Sequence, residues 1–316
     1  MSVQEEGDIA TIAGATQVTC FRAFGLTIRS EFACPGTWAE PDASDDEVRV
    51  EGGEVAATLG PSAVHGHRFE SVPGELVLRT LTIADFQVSG GARVRVQPKP
   101  DADPTSIADL ITGWCAGSLL LQREVLALHA ATIDTPTGAV AFCGDSGVGK
   151  STLVGLLLQR GLRAIDDNIA ALRLAPQGPI AVQPGLGSIR LTPQSLQWLG
   201  RSSEGLHALS RRRGKFLLPL DAASASRSPR PLRRIFLLER SAVPMRQRLD
   251  PLQRVEQLTA HHFVARYAAG LGVRRAMFEQ MLRVARDIPI ERLGVPADRS
   301  PQAFADDVAR DLLADR

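Results

Sequence analysis

The sequence predicts an α/β protein with a β-rich N-terminal region, a core of mixed strands and helices, and C-terminal helices. Three observations lead to this class. Short alternating runs punctuated by Gly and Pro fill the N-terminal third, a pattern typical of strands joined by turns. Apolar β-type runs then alternate with segments of helical periodicity. Beyond Thr259 the pattern is mainly helical, with breaks at Pro289 and Pro296.

The same patterns divide the chain into two regions. Residues 1–105 are predicted to form a small meander or sandwich, with strands over 20–28, 48–50, 75–83 and 92–96. The stretch 98–104, with three prolines, marks the boundary, and residues 106–316 form the second region. We expect Ser106 to begin a helix there, because Asp109 follows at the third position as in a capping box.

The second region contains the predicted core. Two apolar runs, 126–133 and 139–143, form a hairpin, and residues 151–160 form a helix that ends at Gly161. Further strands are predicted over 162–165, 170–174, 180–183, 189–191 and 234–239. The stretch 199–228 is rich in Ser, Arg and Gly, and we expect most of it to be a mobile loop.

The composition limits the kinds of partner that we expect the chain to bind. The chain has 316 residues, 44% of them hydrophobic, and a formal net charge of +1, so it has no general basic excess for binding nucleic acid. No apolar stretch is long enough to span a membrane, and none of the four cysteines is part of a CxxC pair. With no signal peptide, we expect a cytoplasmic location. The basic stretch 211–254 either meets an anionic substrate or is a solvated arm.

Residues 144–151 match the phosphate-binding pattern G-x-x-x-x-G-K-[ST] throughout. Glycines let successive backbone N–H groups turn toward a phosphate, and the helix that follows adds the positive end of its dipole. Lys150 is expected to reach the β- and γ-phosphates of a nucleoside triphosphate, and Ser151 to bind Mg²⁺ through its hydroxyl. The predicted nucleotide-binding residues are Gly144, Asp145, Ser146, Gly147, Val148, Gly149, Lys150, Ser151 and Thr152.

Two further features accompany this P-loop. Asp166 and Asp167 follow a short apolar strand, where they either simply end the strand or serve as metal ligand and base for an attacking hydroxyl. Beside a P-loop whose metal needs a carboxylate, the functional interpretation is the stronger one. His129 interrupts an apolar run, where it is either a core residue or a neighbour of the γ-phosphate, since its strand is expected to pair with the one that leads into the P-loop.

Other P-loop classes are disfavoured, because the chain has no Asn-Lys-x-Asp for guanine selection and no Leu-Ser-Gly-Gly-Gln. The order of Leu-His-Ala at 128–130, the P-loop, Arg-Gly-Leu at 160–162 and the Asp pair resembles HPr serine kinase, specifically its C-terminal P-loop domain. Residues 184–189 are a weaker match to the same family. The overall layout is similar to the divergent HPr-kinase-like proteins encoded with lasso-peptide biosynthesis genes.

This resemblance implies an HPr-kinase/PEP-carboxykinase-like P-loop core and a kinase that uses ATP and Mg²⁺. It implies that Lys150 contacts phosphates, that Asp166 is the base with His129 in support, and that Ser151 and Asp167 hold the metal. The expected acceptor is a Ser of a peptide or protein, in the lasso subgroup the C-terminal Ser of a precursor peptide; homo-oligomerisation stays open. Thr152 stands where bacterial HPr kinases usually have Glu, which argues against HPr as substrate. Residues 185–189 only partly follow the family's second signature, which argues against HPr and against phosphorolysis.

Several alternatives remain open at this level. Arg211, Arg212, Arg213 and Lys215 either clamp phosphates or an acidic peptide when their loop closes, or form a solvated basic loop. The chain is either a kinase or an ATP-binding regulatory module with slow hydrolysis, for which the N-terminal region would be the recognition domain. A kinase of small molecules is a third option, since acceptor pockets are built from scattered residues.

Overall fold

The computed structural model describes residues 18–34, 37, 47–209 and 214–314. The α/β class is confirmed. A mixed central sheet carries helices on both faces, and a second sheet covers one side of it. One apolar core cluster contains residues of both predicted regions, among them Val48, Phe86, Leu128 and Met277. The division into two domains near residue 105 therefore stays a prediction.

The N-terminal region forms an eight-stranded sheet with the order β1-β2-β3-β8-β7-β6-β5-β4. Its strands are β1 (Thr19–Ala23), β2 (Leu26–Ser30), β3 (Glu47–Gly52), β4 (Val64–Gly66), β5 (Phe69–Val72), β6 (Glu75–Arg79), β7 (Ala84–Ser89) and β8 (Arg93–Pro98). The predicted strand over 20–28 is a hairpin instead, because Phe24 and Gly25 have φ of 60° and 79° and turn the chain. The sequence prediction missed β4, β5 and β7.

A single interrupted helix connects this sheet to the rest of the chain. It comprises α1 (Pro104–Leu110), a π-helical turn (Ile111–Cys115) and α2 (Ala116–Gln122). The predicted start at Ser106 is wrong, because Asp103 is the N-cap: its carboxylate accepts the backbone N–H groups of Thr105 and Ser106. The proline of α1 occupies the first turn, where its missing N–H costs nothing.

The central sheet has nine strands, with the path β12-β10-β11-β18-β14-β13-β9, and β20 pairs with both β18 and β19. Its strands are β9 (Leu126–Leu128), β10 (Ala131–Thr135), β11 (Gly138–Gly144), β12 (Arg163–Asp166), β13 (Ala170–Leu174), β14 (Ile180–Val182), β18 (Arg230–Ser241), β19 (Arg246–Arg248) and β20 (Ile290–Pro296). The predicted hairpin is present as β10 and β11. The run 126–133 nevertheless breaks at His129, so that β9 pairs with β13.

The directions of the strands place the predicted site residues at one edge of the central sheet. β11 and β18 are parallel, and β12 shares their direction because it and β11 both pair antiparallel with β10. The carboxyl ends of β11, β12 and β18 therefore meet the amino end of β10. This edge, the usual ligand side of open α/β sheets, carries the P-loop, the Asp pair and His129.

One face of the central sheet is covered by α3 (Lys150–Leu158), α7 (Pro301–Ala314) and a small three-stranded sheet. The small sheet has the order β15-β17-β16, with β15 (Ser188–Leu191), β16 (His207–Leu209) and β17 (Lys215–Pro219), and α4 (Pro193–Trp198) follows β15. The predicted loop over 199–228 is therefore wrong for the two strands within it, residues 207–209 and 215–219. Leu209 and Leu217 are buried in it, and apolar burial favours fixed strands over a loop.

The opposite face is covered by α5 (Pro251–Ala260), a 3₁₀ turn (Ala265–Tyr267) and α6 (Arg274–Asp287). The expected C-terminal helices are confirmed, but the sequence prediction missed β19 and β20. Pro289 and Pro296 flank or end β20 rather than merely breaking helices. In the described parts of the chain, no helix is both long and apolar enough to cross a lipid bilayer.

Candidate active site

A cleft of about 760 Å³ opens at the carboxyl edge of the central sheet. Two groups of residues line it. The P-loop wall consists of Ser146, Gly147, Gly149, Lys150, Ser151 and Thr152. The assembled wall consists of Asp109, Trp114, His129, Asp167, Arg190 and Phe263. Lys215 and Arg240 also line the cleft.

The P-loop has backbone conformations that favour glycine. Gly144, Gly147 and Gly149 have φ of 142°, 87° and 112°, values that residues with a Cβ rarely adopt. A Cβ on Gly144 would also lie 2.5 Å from the carbonyl oxygen of Leu238 on β18. Helix α3 begins directly after Gly149, so its unpaired N–H groups and positive dipole end face the cleft.

Lys150 is folded back onto the loop that precedes it. Its Nζ donates to the carbonyl oxygens of Gly144 at 2.6 Å and Asp145 at 3.2 Å. Burial, together with the charge of Lys215, lowers the pKa of Lys150. The ammonium group has three donors, so one remains for a ligand while two hold the side chain in place.

Asp166 lies outside the cleft. Its side chain is buried, and its Oδ1 accepts the N–H groups of Asn168 and Ile169, both at 2.8 Å. Its Oδ2 accepts the N–H of Leu186 at 3.0 Å. Burial and the neighbouring charge of Asp167 raise the pKa of Asp166 to about 6. These contacts tie two backbone segments together, and they leave the carboxylate facing the protein interior.

Asp167 lines the cleft within a buried ion-pair triad. Its Oδ2 accepts the backbone N–H of Arg190 at 2.7 Å, and its Oδ1 lies 3.3 Å from Nη1 of the same residue. Nε of Arg190 lies 3.3 Å from Oδ1 of Asp109. Burial opposes the charge of Arg190, but the two carboxylates outweigh it and raise its pKa. The triad thus links helix α1, the exit of β12 and β15 around the cleft.

His129 is a neutral member of the assembled wall. Burial and the charge of Lys150 lower its pKa to about 4. Its Nδ1 lies 3.1 Å from the carbonyl oxygen of Asn168. Because a carbonyl only accepts, Nδ1 carries the proton in this neutral ring, and Nε2 is left as an acceptor. The ring centroid lies 5.9 Å from that of Phe263.

Thr152 takes part in a chain of hydroxyl groups. Its Oγ1 lies 2.8 Å from Oγ of Ser195, which lies 2.9 Å from Oγ1 of Thr192. Thr152, directly after the P-loop serine, therefore joins a neutral network. All three residues line the cleft, and their hydroxyls offer both donors and acceptors there.

The structure brings most of the predicted site residues together, but not all of them. Lys150, Ser151, Thr152, Asp167, His129 and Lys215 line the cleft. Asp145 is exposed outside the lining, and Val148 is buried in the core beneath the loop. Arg211, Arg212 and Arg213 lie outside the described residues.

Sequence reasoning missed several residues of the cleft. Arg190 carried a signal, since a lone arginine in the apolar strand 189–191 needs a buried carboxylate as partner. Asp109 was identified only as a helix cap, and Arg240 only as a member of a basic stretch. Trp114 and Phe263 carried no sequence signal for a place in the cleft, because an aromatic residue in a helix or a turn is equally typical of ordinary packing.

The donor atoms in the cleft fit a magnesium–nucleotide complex. The Ser151 hydroxyl and the Asp167 carboxylate supply oxygens, which Mg²⁺ prefers. Within the described ranges, no cluster of three or more His, Cys, Asp or Glu is able to hold a metal ion. Mg²⁺ commonly uses one or two protein ligands and takes the rest from phosphates and water. The residues therefore fit a metal that arrives with a nucleotide.

No family model matches the chain, and a search of curated proteins finds no match either. Among solved structures, the chain is similar to the HPr(Ser) kinase/phosphatase from Coxiella burnetii, with 12% sequence identity and a TM-score of 0.32. The match covers 58% of this chain and 95% of the other. At this TM-score the similarity carries no argument about activity. The fold and the cleft define an α/β protein with a P-loop at the ligand edge of its central sheet.

Proposed function

We propose that this chain is an HPr-kinase-like phosphotransferase that moves the γ-phosphate of ATP to a serine hydroxyl of a peptide or protein. The observation that carries the proposal is the convergence of Lys150, Ser151, Asp167 and His129 on one cleft. The order of the same motifs in the sequence supports the family. The C-terminal Ser of a lasso precursor peptide is the most specific acceptor that this family resemblance suggests.

The P-loop wall binds the triphosphate in this proposal. Backbone N–H groups at the start of α3 and the ammonium of Lys150 receive the β- and γ-phosphates, and Ser151 contributes its hydroxyl to the metal. Mg²⁺, when bound, offsets the charge of the β- and γ-phosphate oxygens. Lys150 needs only a small rearrangement, because its Nζ already lies beside the loop that receives the phosphates.

The assembled wall orients and deprotonates the acceptor hydroxyl in this proposal. We assign the base to Asp167 in place of Asp166, because only Asp167 lines the cleft, and this assignment leaves the Ser151 hydroxyl as the protein ligand of the metal. The acceptor oxygen forms a bond to the γ-phosphorus while the bond from that phosphorus to the β–γ bridging oxygen breaks, and ADP leaves. The hydroxyl proton passes to the Asp167 carboxylate. The Nε2 acceptor of His129 orients the hydroxyl or the phosphate beside it.

Transfer of label from [γ-³²P]ATP tests the proposal. Purified protein is incubated with Mg²⁺ and serine-containing peptides, including lasso-type precursors, and the peptides are analysed for labelled phosphoserine. We expect labelled peptide with the wild type and at least a ~1,000-fold lower rate with Lys150→Ala, whose lost contacts act on the transferred phosphate. Lys99→Ala is the matched control, since Lys99 pairs with Asp85 in the N-terminal region.

Two other results would replace this proposal. Tight nucleotide binding that changes partner affinity without any label transfer indicates a regulatory module. Label on a metabolite, with none on peptides, indicates a small-molecule kinase.

A further inference from the structure

Arg240 lies beside the P-loop although it is distant from it in the chain. Strand β18 runs parallel to β11, and Leu238 of β18 lies opposite Gly144 of β11. Arg240 is two residues further along β18 and therefore lies beside the P-loop that follows Gly144. Side chains two residues apart share a face of a strand. Leu238 packs in the core beneath the P-loop together with Val148, and Arg240 therefore projects on the P-loop side. Its Nη2 lies 3.4 Å from the carbonyl oxygen of Gly147.

This arginine has only a weak partner. The Gly147 carbonyl is the one hydrogen-bond acceptor of Arg240 among the described residues, and no carboxylate of those residues pairs with it. The 3.4 Å separation lies beyond the usual range for an N–H···O bond. The adjacent acid, Glu239, projects to the other face, where it lies 3.7 Å from Arg292. Among the residues that the structure describes, the charge of Arg240 thus has no carboxylate partner at the mouth of the cleft.

Two other cations of the cleft, Arg190 and Lys150, are committed to protein groups. Two carboxylates neutralise Arg190, and two carbonyl oxygens hold Lys150. The backbone of Arg240 is fixed, since β18 pairs with β20 and places Arg240 opposite Val295. Its side chain is exposed. The backbone of Arg240 is therefore held in place, while its guanidinium group is able to exchange one hydrogen-bond partner for another at little cost in free energy.

We infer that Arg240 is a catalytic residue that exchanges the Gly147 carbonyl for oxygens of the terminal phosphate and stabilises their charge during transfer. A charged phosphate is a much stronger acceptor than a carbonyl, and the planar guanidinium matches it with two parallel hydrogen bonds. An arginine supplied in this way to a P-loop acts mainly on turnover. The inference rests on the proposed function for its kinetic effect, but its equilibrium effect requires only nucleotide binding.

Kinetics give the first test. Release or transfer of the γ-phosphate is measured under single-turnover conditions for the wild type, Arg240→Ala, Arg240→Lys and Arg233→Ala. Arg233 is the matched control, because it is an exposed arginine of the same strand whose Nε donates to the Thr137 carbonyl oxygen at the far end. We expect about a 100- to 1,000-fold lower rate for Arg240→Ala, partial recovery in Arg240→Lys, and an unchanged rate in Arg233→Ala. A wild-type rate in Arg240→Ala overturns the inference.

Equilibrium binding separates this inference from the kinase proposal. The affinities for ADP and for ADP with beryllium fluoride, which mimics the terminal phosphate, are compared by calorimetry in the presence of Mg²⁺. Arg240→Ala is expected to weaken the beryllium fluoride complex at least about tenfold while it changes ADP affinity less than about twofold, the difference that loss of a charged phosphate contact predicts. Equal losses for both ligands, or no loss for either, overturn the inference. If the wild type neither transfers nor hydrolyses phosphate, the kinase proposal fails while this comparison still decides the role of Arg240.

Discussion

The two walls of the cleft differ in how the chain builds them. The P-loop wall comes from one short stretch, Ser146 to Thr152, whose shape follows from glycines and a helix start. The assembled wall comes from five separated segments, held by the buried contacts of Asp109, Arg190 and Asp167. Local backbone chemistry determines the first wall. Tertiary packing and charge pairing determine the second, so changes there couple function to stability.

The largest expected difference concerns the two adjacent aspartates. Asp167→Asn should lower the rate of phosphate transfer about 10²- to 10⁴-fold, the usual contribution of a general base. Asp166→Asn should leave the rate per folded molecule within about tenfold of the wild type, since Asp166 lies outside the cleft. It should instead lower the free energy of unfolding by ~1–3 kcal/mol, because an asparagine amide leaves buried backbone N–H groups without acceptors.

Single-turnover rates normalised to the fraction of protein that binds ATP check this contrast. Urea denaturation of the same two variants gives the stability. A lower normalised rate for Asp166→Asn than for Asp167→Asn would return the base to Asp166, as the sequence resemblance had it.

The second prediction concerns the energetic coupling within the assembled wall. Arg190→Met removes a buried cation and leaves two carboxylates facing each other, so the free energy of unfolding should fall by about 3–5 kcal/mol. Thr152→Val on the P-loop wall removes one neutral hydroxyl and should cost about 1 kcal/mol. Urea denaturation at neutral pH measures both.

Arg275→Met is the control for the loss of an arginine as such. Arg275 lies 2.8 Å from Glu279 on the surface of α6, with 92% of its side chain exposed, and water screens pairs of this kind so that they contribute little to stability. A cost for Arg190→Met as small as that of Arg275→Met contradicts the view that the triad holds the assembled wall together.

The same contrast explains what could be predicted from sequence. The P-loop, the strand before it and the helix after it are encoded in consecutive residues, so Lys150 and Ser151 could be identified at once. The Asp pair could also be located, but not the order of its members, because both residues follow the same strand. Which carboxylate faces the cleft depends on backbone N–H groups of distant Leu186 and on Arg190.

Errors in the fold have the same origin. Residues 207–209 and 215–219 are short and flanked by Ser, Arg and Gly, which is typical of a loop. They nevertheless form strands in the same sheet as β15, because neighbouring strands supply hydrogen bonds and apolar cover. The run 126–133 looks continuous, but its two halves pair with different strands on either side of His129. Pairing partners far apart in the chain carry no local signal.

The smallest of the three contrasts concerns the acid sensitivity of the assembled wall, which is measured at His129. Its pKa falls from the ordinary 6.5 to about 4 on folding, so between these values the unfolded chain binds the proton more tightly than the folded one. The part of the protein's stability that depends on neutral His129 is therefore fully present above pH 6.5 and is lost as the pH falls toward 4. At pH 5 the loss should be roughly 2 kcal/mol relative to neutral pH.

His129→Gln should remove this part of the acid sensitivity, and His65→Gln, at an exposed position of β4, is the control for the loss of a histidine as such. Denaturation of the wild type and both variants at pH 7 and pH 5 isolates the effect, because Asp166, whose raised pKa acts in the opposite direction, is present in all three. Between pH 7 and pH 5, the free energy of unfolding of His129→Gln should fall by roughly 2 kcal/mol less than that of the wild type. Equal pH dependence in all three proteins would contradict the burial of His129, and the assembled wall would then be open to water in solution.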